Sequence, residues 1–280
     1  MKTDHDISES EFLAFVGKTV LNWDGGEKNR VQSALKLTGP ALSQFFPAHR
    51  ESIYLIKTTG DEEAGAAYTR GNAIVLPRNV LTLPEPSFRH LLAHEFFHIL
   101  SRSDPRLRRM LYEAIGFHEC GEVELPAVLS PRKITNPDAL KNDHCIQVGV
   151  AGELVWAMPI LYSRTPKYDV ASGGKFFDYL MLALMVVERS GPSGAARPIF
   201  GPDGPTLVGI DRVSGFFEQI GRNTRYIIHP EEILAENVAL LVLGEKNAPS
   251  PEVLKRIAEA LERGRVTEPG PAKNAPQPSR

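Results

Sequence analysis

The residues of this chain best equipped for chemistry are His94, Glu95 and His98, in the stretch Arg89-His90-Leu91-Leu92-Ala93-His94-Glu95-Phe96-Phe97-His98-Ile99-Leu100. Residues four apart on a helix lie on one face a turn apart, so two imidazoles at this spacing can address a single metal ion. Glu95 is turned about 100° from His94 by the helical repeat. It can reach a water on the metal without ligating the metal, which makes it the natural general base. The flanking residues are apolar nearly all the way round, as in a helix buried inside a domain. Two imidazoles and a carboxylate are costly to bury there unless they are paired or hold a metal. The plain alternative is a pair of core histidines hydrogen-bonded to backbone.

A catalytic zinc needs three protein ligands and an open position. Asp104 stands at the offset where metzincin-like enzymes place a third ligand, but Ser101 replaces their turning glycine, and Asp104-Pro105 already reads as a helix cap. Farther along, Glu232-Ile233-Leu234-Ala235-Glu236 sets two carboxylates four apart on one helical face. The pattern of His94-Glu95-x-x-His98 with a downstream Glu-x-x-Ala-Glu helix resembles the gluzincin class of zinc metallopeptidases. That resemblance implies His94, His98 and Glu232 as zinc ligands, Glu95 as base, and Glu236 as the acceptor that orients a ligand imidazole. It also implies an extended peptide lying along an edge strand, here expected at Ala73 to Leu76. Glu231 is the nearest rival to Glu232, and is read as serving the helix N-terminus. Tyr226 and His229, just before this helix, are placed to donate to an oxyanion, and the resemblance favours Tyr226.

The expected reaction is hydrolysis of a peptide bond by a zinc-bound water that Glu95 deprotonates. Two other readings stay open: a binding or interaction protein built on the same scaffold, and hydrolysis of a non-peptide amide.

The fold class expected is α+β: a small mixed sheet packed on the buried histidine helix, with the Glu232 helix closing the site. Residues 1–263 are expected to form one zincin-like domain with a large insertion at about 117–225, followed by a disordered Pro-rich tail over 264–280. Helices are expected over Glu9 to Leu21, Asn29 to Leu37 (ending at Gly39-Pro40), Pro105 to Ile115, Phe176 to Glu188, Arg212 to Ile220, Pro230 to Leu243 and Ser250 to Arg263. Ser87 is the expected N-cap of the histidine helix. Ser52 to Lys57, Ala66 to Leu76 (turning at Gly71-Asn72), Ile146 to Val150 and Leu154 to Tyr162 have strand character. Pro131 to Asp143, with Thr135-Asn136-Pro137-Asp138, reads as a loop.

Composition narrows the partners. With 280 residues, 42% hydrophobic and a formal net charge of -2, the chain has material for a sizeable core and no basic footprint for nucleic acid. The longest apolar run, Phe176 to Val187, falls short of the roughly 20 residues a membrane-spanning helix needs. No export signal is evident, so Cys120 and Cys145 are expected as free thiols in the cytoplasm. These two with His118 and His144 lack the spacing of a structural zinc site and are assigned to packing.

Overall fold

Helices α1 (Glu9–Thr19) and α2 (Gly25–Phe45) both open on reciprocal caps. The Asp24 carboxylate accepts from the Glu27 amide at 2.8 Å, and Glu27 accepts from the Asp24 amide at 3.0 Å. The computed structural model describes residues 3, 5–46, 51–169, 171–191 and 195–266. Helix α2 does not stop at Gly39-Pro40 but runs through it. Its two ends are buried in different places, Val31 and Ala34 in one apolar cluster and Leu42, with the following Phe46, in another. Packing thus overrides the breaker.

Strands β1 (Val20–Leu21), β2 (Tyr54–Thr58), β3 (Tyr68–Arg70) and β4 (Ala73–Pro77) form a mixed sheet in the order β1-β2-β4-β3. Only β2 and β4 run parallel. The expected edge strand at Ala73 to Leu76 is therefore internal, and the edge is β3. The short Gly71-Asn72 turn folds β3 back onto the outer side of β4.

Helix α3 (Glu85–Ser103) carries the histidines and packs with α2 on this sheet through Phe88, Leu92 and Ile99. It begins two residues before Ser87, with Pro86 in the first turn, where a missing N–H costs nothing. Asp104 ends α3 and caps α4 (Pro105–Ala114), its Oδ1 accepting from the Leu107 amide at 2.9 Å.

The segment 117–225 contributes a second, larger sheet. Strands β5 (Phe117–Glu119), β6 (His144–Val150), β7 (Glu153–Ser163), β8 (Leu180–Arg189), β9 (Ala196–Pro198) and β12 (Leu207–Val208) make it up, in the order β12-β8-β7-β6-β5 with β9 also on β8. A two-stranded ribbon, β10 (Phe200–Gly201) and β11 (Gly204–Pro205), stands apart. The apolar run expected as a helix over Phe176 to Glu188 is a short 3₁₀ turn followed by β8. Both faces of β8 are covered. Leu184 enters the cluster shared with the helices, while Ala183, Met185 and Val187 enter one lined by Cys120, Val123 and Leu129. A strand buried on both sides shows no polar alternation, so its sequence cannot be told from that of a buried helix.

Helices α5 (Phe216–Ile220), α6 (Pro230–Leu243) and α7 (Pro251–Val266) complete the seven α-helices among the described residues. The expected 212–220 helix shrinks to α5. Residues 264–266, expected in the tail, belong to α7: a Cβ on Gly264 would come within 2.6 Å of Leu107, so glycine permits close packing on α4. The rest of the expected tail, 267–280, lies outside the described residues. The class is α+β, and no described helix is long and apolar enough to cross a membrane.

Candidate metal centre

Helices α3 and α6 face each other and supply the centre. His94 and His98 present their rings edge to face, centroids 4.7 Å apart. Glu232 comes at them from α6, with Oε2 at 3.1 Å from His94 Nε2 and 3.6 Å from His98 Nε2. One donor atom from each residue lies within 4.8 Å of the other two, and all three residues are buried. Two buried atoms here lack a hydrogen-bond partner, His98 Nε2 and Glu95 Oε2. Orphaned polar atoms are costly inside a protein. A metal ion and a water on it would satisfy these two, and the cluster of two imidazoles and a carboxylate could hold such an ion.

The far nitrogen of each ring meets its own carboxylate. His94 Nδ1 lies 2.9 Å from Glu236 Oε1, and His98 Nδ1 lies 3.3 Å from Glu231 Oε1. An imidazole that donates Nδ1–H to a carboxylate turns its Nε2 lone pair to the centre. Glu231 is fixed in turn by the hydroxyls of Tyr112 at 2.6 Å and Ser101 at 3.1 Å. Glu231 was expected to serve the helix N-terminus. It does stand in the first turn of α6, but the N-cap is His229, two residues earlier, whose Nδ1 accepts from the Glu231 amide at 3.1 Å.

His229, expected to donate to an oxyanion, has both ring nitrogens engaged elsewhere. It is buried, and its Nε2 is occupied 3.3 Å from the Lys141 carbonyl. Tyr226 does reach the cleft, its ring stacked over His94 at a centroid distance of 6.2 Å. This cleft of about 400 Å³ is lined by the polar Glu95, Tyr226 and Glu232 and by the apolar Val80, Leu83 and Phe177.

The charges are strongly coupled. Burial disfavours a charged His94, yet hydrogen bonds to Glu232 and Glu236 raise it to about 9. His98 is raised well above its ordinary value against the same burial penalty, first by the charge of Glu232. Burial opposes ionisation of Glu232 and Glu236, but the imidazoles hold Glu232 far down, and hydrogen bonds from His90 and His94 hold Glu236 at about 2. Glu95 moves the other way, pushed up to about 8 by burial and then by Asp138, with both imidazoles pulling against the shift. A carboxylate so destabilised is a better proton acceptor than one in water.

Two residues at the centre come from the 131–143 loop, which sequence periodicity could not connect to it. Asn136 Nδ2 donates to Glu232 Oε1 at 2.6 Å, and Asp138 offers an oxygen within 4.8 Å of donors on Glu95 and His98. The one local signal is the Asn-Pro-Asp sequence, which marks a tight turn and nothing about its destination. Asp104 stays a cap. His118 packs edge-on against Trp156, His144 pairs with Asp143, and Cys120 and Cys145 are free and buried.

Compared with known proteins, the chain matches no family model, no curated protein and no solved structure. Its chemistry therefore rests on the geometry of this centre.

Proposed function

We propose that the protein is a zinc-dependent hydrolase of the gluzincin type that cleaves peptide bonds. The observation that carries the reading is the three-donor cluster of His94, His98 and Glu232, with the unpartnered Oε2 of Glu95 beside it in the cleft. Two imidazoles and one carboxylate form a donor set suited to zinc with one position open, and the zincin-like fold is part of the same reading. When bound, the metal supplies Lewis-acid polarisation of the scissile carbonyl and of the attacking water. Glu95 takes the proton from that water on Oε2 and passes it to the leaving amine. Glu231 and Glu236 keep the imidazoles aimed. Tyr226, which lines the cleft beside His94, donates its hydroxyl to the developing oxyanion, a proton it retains because burial and then Glu232 push its pKa far up.

A second reading, hydrolysis of a non-peptide amide, is favoured by one contact. The amide of Thr69, the middle residue of edge strand β3, donates to Asp138 Oδ1 at 2.6 Å. A peptide laid along β3 must do without that donor or displace Asp138, whereas a compact amide needs neither.

The test is zinc content followed by hydrolysis of a peptide mixture and of small N-acyl amides, with and without chelator. Glu95→Gln should keep zinc and fold while losing at least about 100-fold in rate, the scale of general-base catalysis. Near wild-type turnover by Glu95→Gln removes Glu95 from the mechanism. Bound zinc without turnover of either substrate class leaves a binding protein.

A further inference from the structure

Glu232 has two carboxylate oxygens, and the protein treats them differently. Oε2 faces the two imidazoles, while Oε1 accepts from Asn136 Nδ2 at 2.6 Å. The amide of Asn136 can be oriented only one way. Its Oδ1 already accepts the Asp138 backbone N–H at 3.0 Å, which leaves the NH₂ group to face Glu232. Asn136 is itself buried, so the contact is not a surface accident.

The turn carrying Asn136 is fastened to the elements that form the rest of the centre. Asp138 Oδ1 accepts from both the amide and the hydroxyl of Thr69 on β3. Arg102, one turn beyond His98 on α3, donates to the Asp138 carbonyl at 3.1 Å and to the Thr69 hydroxyl at 2.7 Å. Arg70 donates to the Pro137 carbonyl at 2.5 Å. The helix with the two imidazoles is thus tied through Arg102, Asp138 and Asn136 to the third donor, the Glu232 carboxylate, which sits on another helix.

We propose that Asn136 is a positioning residue that holds Glu232 as a one-oxygen ligand, keeping Oε1 off the metal so that the fourth position stays open. The inference rests on the metal-centre reading. A carboxylate free to turn can chelate through both oxygens and fill the position a substrate needs, and it loses the fixed direction that makes a ligand strong.

The experiment measures zinc affinity by competition with a chromogenic chelator, and the visible spectrum of the cobalt(II)-substituted protein, for wild type, Asn136→Ala and Asn136→Ser. Serine can accept the Asp138 N–H and preserve the turn but is too short to reach Glu232, so it keeps the test valid if alanine disturbs the loop. Both variants should bind zinc about 10- to 100-fold more weakly. Their cobalt absorption should fall in intensity, as a four-coordinate centre gains a fifth oxygen. Wild-type affinity and wild-type cobalt spectrum in folded Asn136→Ser overturn the proposal. So does weakened affinity with an unchanged cobalt spectrum, which marks a structural role alone. If wild type with native circular dichroism takes up neither metal, the metal-centre reading fails first, and the inference with it.

Discussion

At the scale of residues, the centre is an alternation of buried acids and imidazoles in which each Nδ1 has a carboxylate of its own and both Nε2 atoms face Glu232. Removing Glu232 and removing Asp104 should therefore have different consequences. Glu232→Ala leaves two imidazoles and should sharply lower zinc occupancy, whereas Asp104→Ala should keep zinc and lose about 1 kcal/mol as a missing helix cap. A zinc titration with thermal melts separates the two, and metal loss in the Asp104 variant would restore it as a ligand. The same pairs set a pH signature for protein stripped of metal. His94 is raised from 6.5 to about 9, so its contribution to stability is complete below 6.5 and is lost as pH rises through about 9. Glu236 is lowered from 4.5 to about 2, so its contribution is complete above 4.5 and is lost as pH falls toward about 2. Denaturation midpoints should be highest near pH 4.5 and decline on both sides, on the alkaline side first because Glu95, raised from 4.5 to about 8, must give up a proton that the fold favours, and then because His94 loses its own. A midpoint still rising between pH 7 and 9 would contradict the paired His94. Helical spacing made His94, Glu95 and His98 legible as one face and Glu232 and Glu236 as another, and only the resemblance of the combined pattern to gluzincins joined the two. The parts that Glu231 and Asn136 play were not legible, because neither residue belongs to that pattern and nothing local ties them to His98 and Glu232, 133 and 96 residues away.

At the scale of elements, the sequence was readable where one face is buried and the other wet, and misleading where that contrast is absent. The strand–turn–strand at Gly71-Asn72, the Asp104-Pro105 break and the Gly244 stop of α6 follow from local turn and cap chemistry. Strand β8, buried on both faces, carries no such contrast. Helix α2 errs the other way: local chemistry predicts a stop at Pro40, and long-range packing carries the helix past it. An exposed proline inside a helix removes a donor and clashes with the preceding turn, costing about 3 kcal/mol, offset by up to about 1 kcal/mol from a stiffer unfolded chain. Pro40→Ala should accordingly stabilise the protein by about 1 to 2 kcal/mol, seen as a higher denaturant midpoint at unchanged slope. Destabilisation instead would mean that the proline itself is needed to seat Leu42 and Phe46 in the core.

At the scale of the whole molecule, the question is whether the 117–225 segment is an appendage or part of the unit that holds the centre. One cluster joins Leu42 of α2, Phe97 of α3, Leu111 of α4, Ile146 and Leu184 of the larger sheet, Ile233 of α6 and Ile257 of α7. The sheet's inner face therefore belongs to the same core as the α6 ligand helix. Its outer face is closed by Val123, Leu125 and Leu129 over Cys120 and Cys145. These two buried thiols report on the sheet, as bound zinc reports on the helices. If the clusters fold together, both cysteines should stay unreactive to a thiol reagent until the global transition. Their exposure and the loss of helical circular dichroism should then share one denaturant midpoint, and zinc should shift both by the same amount. Thiol exposure at a clearly lower midpoint, unmoved by zinc, would make the sheet a separately folding insertion and leave α6 to be held by the remaining helices alone.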